Sequence, residues 1–411
     1  MHPKMRKIYV GVDTHKSTHT AVVINCFNEK LGEITFENKP SAFDSLLQEV
    51  KKYTTKGMSM VFGLEDTGSS GRALAVFLKS NKKMVKKVNA TYTHSERKKL
   101  PIMHKTDSFD AWCIAKVLLD NYDTLPEANP DDIYWTLAML VSRRSALVKS
   151  NVALKQQLHS YVVQHYPSYR SFFSVFDCKA GLEFWEKYPS PTSLKDVTIS
   201  ELGKFLHTPS SGFFGEKRAS KILELVEKDG DTKTEYQESR DFLVSTCIRQ
   251  VKQNNGEMEK IEVEMQKLMS RLGYRLETFP GIDLVTASGF TSQIGDIERF
   301  SSADKLAKYA GISPVTFSSG ESDKKFSNRQ GDRTLYHLFH SLAARNVNRG
   351  RNKNRPINNI FYEYYQKKIS EGKTEHQAII CVMRRLVNIL YGIMRNKKEY
   401  IYPTLPKKVI E

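Results

Sequence analysis

Carboxylates stand at the ends of apolar segments in the first third of this sequence. Asp13 closes the apolar run that begins at Ile8, and Glu65 closes the segment MSMVFGLE. Asp107 and Asp110 lie in HKTDSFDAWCIAKVLL, where a spacing of three residues puts both on one face at the start of a helix. Carboxylates at neighbouring strand ends repel one another unless a hard cation neutralises them. The four acidic residues therefore predict a Mg²⁺ site.

Such a site would act on phosphodiester bonds. Two Mg²⁺ ions roughly 3.5 to 4 Å apart would hold the attacking and leaving oxygens in line, as in carboxylate-rich nucleases and polymerases. A purely structural interpretation stays open, in which Asp107 is a helix N-cap and Glu65 is a solvated strand end. His15 and His19 fit a zinc site by residue type. With no nearby cysteine or third histidine, they are more typical of solvated or structural positions.

The elements that position these carboxylates follow from hydrophobic periodicity. Short β-rich segments are joined by tight connections, and segments of helical period separate the later ones. The predicted strands span 7–13, 20–27, 31–36 and 58–65, and the predicted helices span 42–52 and 71–80. This order predicts an α/β domain with a mixed sheet.

Beyond the Pro- and Asp-rich stretch TLPEANPDD, the apolar spacing becomes that of long helices. One stripe has seven-residue spacing and consists of Leu140, Leu147, Leu154 and Tyr161, supported by Leu137 and Leu158. A second stripe consists of Val251, Met258, Ile261, Met265, Leu268 and Leu272. Two such helices predict an antiparallel coiled coil or a dimer seam. The segment 166–232 between them carries turn signals and gives no fold prediction.

The last third of the sequence is predicted to be mostly helical, with glycine-rich turns. Residues 333–347 and 375–395 have the period of amphipathic helices. The chain is therefore expected to divide into an α/β domain at 1–125, a helical coiled-coil region at 133–272 and a mostly helical C-terminal domain at 274–400.

The charge balance favours a polyanionic partner. The 411 residues include 63 Lys and Arg against 46 Asp and Glu, a formal net charge of +17. Such an excess is typical of proteins that bind DNA or RNA, although a merely soluble basic protein has it too. The five cysteines are scattered and form no C-x-x-C pair, which argues against a disulfide framework or a thiolate zinc site. With no signal-peptide h-region at the start and no run of about 18 apolar residues, the sequence predicts a soluble protein of the cytoplasm.

Several stretches taken together resemble a known family. Those near the start are YVGVDTHK, GLEDTGSSG and KTDSFDAWCIA, and those near the end are FPGIDLVTASGF, KYAGISPVTFSSG and RQGDRTLYHLFHSLA. In this order they are similar to the "one-ten" family of bacterial insertion-sequence transposases, which includes the Piv DNA invertases, and they span roughly two thirds of the chain. The resemblance implies an N-terminal RuvC-like domain of the ribonuclease-H type. Its Mg²⁺-binding carboxylates fall here on Asp13, Glu65, Asp107 and Asp110.

The resemblance also implies a C-terminal transposase domain with a serine nucleophile directly before a glycine. This serine falls on Ser319, with Ser318 as the reserve. Without the family, a Ser-Ser-Gly stretch is more typical of a flexible turn or a helix cap. A phosphoserine link to DNA would conserve the bond energy, so strand exchange would need no ATP. An invertase of the same fold, a RuvC-like nuclease that uses water and an inactive nucleic-acid-binding relic stay open as alternatives.

Partners also follow from the resemblance. Family members use a non-coding guide (bridge) RNA that pairs with the donor ends and the target DNA, and they act as homodimers that assemble into tetramers. Such a protein would work on the DNA of the bacterial nucleoid. Lys324, Lys325, Arg329 and Arg333 follow the serine and are predicted to bind phosphates, a solvated basic face being the alternative.

The stretch PGID departs from the family. It stands where the family resembles a helix-hairpin-helix, but Asp283 occupies the place of the usual second glycine. Because an acidic residue there would repel a phosphate, the sequence predicts a structural turn with Gly281 in a packing role.

Overall fold

The computed structural model describes the backbone at 3–65, 67, 69–99, 106–128, 132–230, 235–319, 322–326, 331–348 and 356–403. Side chains are described in these ranges except at 132, 315–319 and 322–326. The chain divides into two units, one formed by Met1–Ala138 with Leu268–Glu411 and the other by Met139–Lys267.

The first part of the chain forms a five-stranded mixed sheet with helices packed on it. Its strands are β1 (Lys7–Thr14), β2 (Thr18–Ile24), β3 (Lys30–Glu37), β4 (Ser59–Leu64) and β5 (Met84–Lys87), and its helices are α1 (Phe43–Lys51), α2 (Arg72–Ser80), α3 (Ala90–Arg97) and α4 (Asp107–Asn121). The strand order is β3-β2-β1-β4-β5, in which β1, β4 and β5 are parallel and β2 is antiparallel to β1 and β3. This arrangement is consistent with a RuvC-like α/β domain.

The predicted strands and helices of this part are confirmed, with ends that shift by a few residues. The largest shift is in β2, which ends at Ile24 because the chain turns there toward β3. Hydrophobic periodicity in the sequence did not predict β5 or α3. The strand MVKK is short and basic, and the helix ATYTHSER has only Thr93 buried, so neither has the apolar pattern that marks an element.

β1 is apolar from Ile8 to Val12, and both of its faces are covered there. Ile8, Val10 and Val12 belong to a core that includes residues of α1 and α2, whereas Tyr9 belongs to a second core that includes residues of α4. Successive side chains of a strand point to opposite faces. Asp13 therefore lies on the same side of the sheet as Tyr9, which is the side of α4.

The unit Met139–Lys267 contains most of two long helices, α5 (Asp132–His165) and α9 (Gln237–Leu272). Asn151 Nδ2 donates to Asn255 Oδ1 at 2.8 Å, and Arg240 Nη1 donates to Gln164 Oε1 at 2.9 Å. These pairings make the two helices antiparallel neighbours within one chain. Supercoiling of the pair stays a prediction.

Burial in α5 departs from the predicted seven-residue stripe. Leu137, Leu147 and Leu158 are buried, but Leu140 and Leu154 are only half-buried. A straight helix of 3.6 residues per turn drifts away from a strict seven-residue repeat, so the buried face moves along the helix.

The segment that gave no fold prediction is an aromatic-rich helical cluster in the same unit. It contains α6 (Lys179–Lys187), α7 (Ile199–His207) and α8 (Glu216–Asp229). Trp185 is fully buried and stacks on Phe172, with ring centroids 5.6 Å apart and planes 15° from parallel. The aromatic residues follow no regular period because short helices and turns present them from several directions.

The last part of the chain contains helices and one hairpin. Its helices are α10 (Leu284–Ile294), α11 (Ala303–Tyr309), α12 (Arg333–Val347), α13 (Asn359–Ser370) and α14 (Glu375–Asn396), and its strands are β6 (Val315–Ser319) and β7 (Ser322–Phe326). Among the described helices, α14 alone is long and apolar enough to span a membrane. Its apolar residues Val382, Leu386 and Leu390 are fully buried, and the helix contacts α11, α12 and α13. This is the environment of a core helix in a globular unit.

Candidate metal centre

A pair of glycines decides where α4 lies on the sheet. Gly11 of β1 and Gly63 of β4 are register partners in the parallel pair. A Cβ on Gly11 would lie 2.1 Å from the carbonyl oxygen of Ala111 and 2.2 Å from the amide nitrogen of Ala115. A Cβ on Gly63 would meet only side chains, the nearest at 3.1 Å. The backbone of α4 therefore lies directly on that of β1, an approach that only glycine permits.

This close contact brings the acidic residues to one edge of the sheet. Asp13 and Glu65 each follow their glycine by two residues, so both lie on the α4 side at the carboxyl ends of adjacent parallel strands. Asp107 and Asp110 occupy the first turn of α4. Asp13, Glu65 and Asp110 line one cavity of about 340 Å³. The N-cap of α4 is Thr106, so the interpretation of Asp107 as the capping residue is wrong.

Asp13 sits in an unfavourable environment for a free carboxylate. Its Oδ2 atom is shielded from solvent and has no well-aligned hydrogen-bond donor among the described residues, although Nε2 of His15 lies 3.2 Å away. Burial raises the pKa of the Asp13 carboxyl; His15 lowers it, and the nearby Asp110 and Asp107 raise it further. A bound cation relieves this kind of crowding and desolvation.

Helix α3 supplies the partners of the other two cavity carboxylates. The hydroxyl of Thr93 donates to Oε1 of Glu65, and Nη2 of Arg97 lies 2.7 Å from Oδ1 of Asp110. Residues four apart share one face of a helix, so α3 presents Thr93 and Arg97 together. Glu65 is half-buried and accepts a hydrogen bond. The alternative interpretation of Glu65 as a solvated residue at a strand end is therefore wrong.

His15 is the residue that sequence reasoning set aside and the structure brings into the site. Its Nε2 atom lies 3.2 Å from Asp13 Oδ2 and 3.4 Å from Asp107 Oδ1. One ligand atom from each of these three residues lies within 4.8 Å of the others, close enough to hold a metal ion. His19 is different, because it is fully buried and its Nδ1 accepts the backbone N–H of His15 at 3.3 Å. For His19, the structural interpretation is correct.

Asn38 ties the His15 turn to the rest of the domain. Its side-chain amide lies within hydrogen-bonding distance of three backbone carbonyls, those of His15 at 3.3 Å, Lys16 at 3.2 Å and Ser70 at 3.0 Å. The turn after β1 and the loop before α2 are therefore held by one side chain. No sequence pattern marks this role, because the contacts join residues far apart in the chain.

The donor set fits a divalent cation. It consists of carboxylate oxygens from two strand ends and one helix start, with an imidazole nitrogen beside two of them. Hard divalent cations prefer oxygen ligands, and imidazole adds affinity for transition metals. A sequence signal for this edge exists in hindsight: Gly11-Val12-Asp13 and Gly63-Leu64-Glu65 repeat the same glycine-apolar-acid pattern.

The predicted serines lie on the hairpin of the last part. Ser318 and Ser319 end β6, and the backbone pairs Ser319 with Ser322 of β7. Gly320 lies outside the described residues. The nucleophilic role of Ser319, with Ser318 as reserve, stays a prediction.

The predicted phosphate-binding residues follow Ser319 within fifteen positions of the sequence. Lys324 and Lys325 belong to β7, and Arg329 lies outside the described part of the chain. Arg333 begins α12, with its guanidinium over the ring of Tyr336 at 5.0 Å from the centroid. Their contact with nucleic acid stays a prediction.

The turn at Gly281 and Asp283 has a structural role, as the sequence suggested. Asp283 is the N-cap of α10, where its Oδ1 accepts the N–H of Thr286 at 2.8 Å. Gly281 has a φ of +89°, and its carbonyl accepts a hydrogen bond from Arg345 at 2.6 Å. A Cβ there would lie 3.2 Å from the Arg345 side chain, which is consistent with a packing role.

Two family models match this chain. The model of a transposase with DEDD residues matches residues 10–167, and the model described as "Transposase IS116/IS110/IS902 family" matches residues 273–366. The first match contains all four acidic residues, and the second contains both serines. Together the two matches cover more than half of the chain.

Relatives are similar over almost the whole chain. An uncharacterized 44.8 kDa protein of insertion element IS116 from Streptomyces clavuligerus is 23% identical over 95% of this chain and 96% of its own length. An uncharacterized 42 kDa protein of insertion element IS900 from Mycobacterium paratuberculosis is 23% identical over 96% of this chain and 97% of its own length. The pilin gene-inverting protein of Moraxella lacunata is also 23% identical, over 96% of this chain and 98% of its own length. With both family models matched in order, this chain belongs to the IS116/IS110/IS902 family of insertion-sequence transposases.

Proposed function

We propose that this protein is an RNA-guided transposase that cuts and rejoins the DNA of a mobile element through a serine-linked intermediate with Mg²⁺. The observation that carries the proposal is the convergence of Asp13, Glu65 and Asp110 on one cavity, with Asp107 beside it. The site lies in the segment matched by the DEDD transposase model. Membership of a transposase family and the net charge of +17 support DNA as the substrate.

The carboxylates and the serine have separate tasks in this proposal. Asp13, Glu65, Asp107 and Asp110 hold Mg²⁺, which supplies Lewis acidity at the scissile phosphate when it is bound. The oxygen of Ser319 forms a new bond to phosphorus, and the DNA oxygen that leaves takes up the proton that the serine loses. Because one phosphoester replaces another, the later rejoining step needs no ATP.

In this proposal base pairing selects the DNA sequence, and positive charge binds the nucleic-acid backbone. An element-encoded guide (bridge) RNA pairs with the element ends and the target, and basic residues such as Lys324, Lys325, Arg329 and Arg333 contact phosphates without reading sequence. The active species is a homodimer that assembles into a tetramer on DNA, in the cytoplasm at the bacterial nucleoid. The division into domains at 1–125, 133–272 and 274–400 is part of the same proposal.

A denaturing gel tests the chemistry directly. Purified protein, co-expressed with RNA from the flanks of its gene, is incubated with labelled element-junction DNA and Mg²⁺. Wild type is expected to give an SDS-resistant protein–DNA band, and both Ser319→Ala and Asp13→Ala are expected to lose it. Ser318→Ala is the matched control and should retain the band.

The other outcomes separate the alternatives. Cleaved DNA with no covalent band, unchanged by Ser319→Ala, would leave a metal-dependent nuclease. DNA that is bound but intact in Mg²⁺ would point to an inactive relic. A band lost in Ser318→Ala and kept in Ser319→Ala would move the nucleophile to the reserve position.

A site-specific DNA invertase is the second candidate function. It is favoured by the match to the pilin gene-inverting proteins of Moraxella lacunata and Moraxella bovis, each over 96% of this chain. The two functions differ in their products. An invertase flips a segment between inverted sites on one plasmid, whereas a transposase moves its element to a second plasmid.

A further inference from the structure

The outer face of α12 carries planar side chains, whereas charged side chains of both signs are usual on the solvent side of a helix. Tyr336 and His340 are half-buried and His337 is exposed, while Leu335 and Phe339 of the same helix are fully buried. No acidic residue occurs within α12. The outer face therefore offers rings for contact with a partner.

Three planar groups form a ladder along this face, namely those of Arg333, Tyr336 and His340. The guanidinium of Arg333 lies over the ring of Tyr336, 5.0 Å from its centroid. The imidazole of His340 is nearly parallel to the same ring, with planes 20° apart and centroids separated by 6.4 Å. Residues three and four apart are neighbours on a helix surface. Tyr336 therefore has a planar neighbour one turn away in each direction along α12.

The sequence around the ladder is strongly basic. From residue 324 to residue 355 the only acidic residue is Asp332, which is the N-cap of α12 and accepts the N–H of Leu335 at 2.8 Å. The basic residues of the same stretch are Lys324, Lys325, Arg329, Arg333, Arg345, Arg349, Arg351, Lys353 and Arg355. Such an excess of positive charge complements a nucleic-acid backbone.

The start of α12 is fixed at the base of the β6–β7 hairpin. A Cβ on Gly331 would lie 2.2 Å from the amide nitrogen of Gly311, so the chain before the hairpin and the chain after it are in backbone contact. The N–H of Asp332 is also donated to the carbonyl of Tyr309 at 2.7 Å. Both ends of the segment that carries β6 and β7 therefore meet where α12 begins. Since β6 spans about 17 Å and Tyr336 lies about 8 Å along α12, a short length of DNA would connect the predicted serines to the ladder.

Planar side chains distinguish unpaired nucleotides from paired ones. Within a duplex the faces of each base are covered by the neighbouring base pairs. An unpaired base exposes its face, which stacks on an aromatic ring or on a guanidinium. In the proposed function, a guide RNA that pairs with one DNA strand leaves the other strand unpaired.

We infer that the ladder of Arg333, Tyr336 and His340 stacks on unpaired bases of the DNA strand that the guide RNA displaces. This inference rests on the proposed function and adds a second kind of contact to it, because the basic residues bind phosphates and the ladder binds bases. Every base has a face that can stack, so the contact does not select sequence.

Binding of single-stranded DNA to the full-length protein in EDTA, without divalent metal, tests the inference. The probe is an end-labelled strand of thymines interrupted by 2-aminopurines. Its anisotropy gives the Kd, and 2-aminopurine emission falls when the base stacks on tyrosine. Tyr336→Leu is expected to weaken binding at least about fivefold and to lose the quenching. Tyr336→Phe keeps a ring and should retain the wild-type Kd.

Two further variants sharpen this test. Tyr236→Leu is the matched control, because Tyr236 is 80% exposed and lies in the other unit, and its Kd should be that of wild type. His340→Ala is expected to weaken binding of the single strand by a smaller factor than Tyr336→Leu does. An unchanged Kd in His340→Ala would remove His340 from the ladder.

Salt and strand type separate stacking from charge. Duplex DNA should bind Tyr336→Leu as tightly as wild type, and the salt dependence of single-strand binding should be unchanged, because a ring releases no counterions. An unchanged single-strand Kd in Tyr336→Leu, or an equal loss on single strand and duplex, would overturn the inference. A loss confined to single-stranded RNA, tested with uridines interrupted by 2-aminopurine ribonucleotides, would overturn the assignment to DNA.

These results are independent of the covalent-band experiment. Single-stranded DNA binding that depends on Tyr336, without any serine-linked DNA, would keep the stacking site and reject the serine mechanism. A serine-linked band together with wild-type binding in Tyr336→Leu would do the reverse.

Discussion

The surroundings of Asp13 disfavour the charged form of its carboxylate in the folded protein. Asp13 lies at the end of a strand that is buried on both faces, and its carboxylate is crowded by Asp107 and Asp110. His15 offsets only part of this, while Arg97 offsets the charge of Asp110. Groups at functional sites are often destabilising in this way, because they are shaped for a ligand and not for the empty protein.

We therefore predict that Asp13→Asn stabilises the metal-free protein. The pKa of Asp13 is raised in the folded state, so its ionised form costs stability at every pH above that pKa, and the cost disappears as the pH falls below the ordinary aspartate value of about 4. Asparagine carries no charge. In EDTA at pH 7, urea denaturation should show a larger free energy of unfolding for Asp13→Asn than for wild type, with a gain that shrinks as the pH is lowered.

Mn²⁺ should reverse this order, because the metal stabilises only the form that binds it. Asp196→Asn, which removes an exposed carboxylate from the other unit, serves as a control and should change little under either condition. A metal-free Asp13→Asn that is less stable than wild type at pH 7 would contradict the assignment of Asp13 as a strained carboxylate.

At the scale of elements, the site depends on how closely one helix approaches two strands. Gly11 and Gly63 are paired across β1 and β4, and both lie under α4. The helix start is fixed by Thr106, whose hydroxyl accepts the N–H of Phe109 at 3.2 Å. These contacts set the distance between the strand ends and the first turn of α4. They therefore set the distance of Asp13 and Glu65 from Asp107 and Asp110.

The two glycines differ enough to give a graded prediction. In Gly11→Ala the new methyl group would meet the α4 backbone at 2.1 Å, which cannot rotate away, so α4 must shift. The free energy of unfolding should fall by roughly 1–3 kcal/mol or more, and Mn²⁺ binding should weaken. In Gly63→Ala the neighbours are side chains at 3.1 Å or more, and the loss should be smaller.

Chemical denaturation and Mn²⁺ titration of the two variants would check this order. Gly256→Ala is a useful reference, because its Cβ would meet nothing within 4 Å, and alanine should stabilise the interior of α9 by about 1 kcal/mol. Equal losses in Gly11→Ala and Gly63→Ala would mean that the backbone contact does not position the helix.

At the scale of the whole molecule, the division into two units is the main feature. The unit Met139–Lys267 leaves and rejoins the rest of the chain through α5 and α9 and has an aromatic core of its own. Buried amides also link its two long helices, since Asn254 Nδ2 donates to Asn151 Oδ1 at 2.8 Å. A misaligned pairing would leave these buried amides without partners, so they favour one register.

We predict that the segment 139–267 folds alone and unfolds cooperatively. Trp185 is its single tryptophan and is fully buried, so its fluorescence reports on this core without interference. Phe172→Ala removes a ring stacked on Trp185 and should lower the free energy of unfolding by about 3–5 kcal/mol. Phe213→Ala is the matched control, because this ring is 81% exposed, and it should change stability by less than about 0.5 kcal/mol. Gradual unfolding of the segment, or equal losses in the two variants, would contradict an independent core.

The sequence by itself determined the parts of this protein that depend on local pattern. Apolar runs and periods predicted four strands and two helices of the sheet domain, because a strand buried on both faces and an amphipathic helix leave direct traces in residue order. Positions of the acidic residues at element ends predicted a metal-binding edge. Two short elements without apolar patterns, β5 and α3, left no such trace.

Only the tertiary structure decided which side chains meet. His15 joined Asp13 and Asp107, and Arg97 paired with Asp110, because α3 and α4 pack beside the ends of β1 and β4. The sequence does contain the glycines that allow this packing, but their pairing exists only once β1 and β4 are aligned in register. Distances between residues far apart in the chain are set by such packing, and no local spacing encodes them.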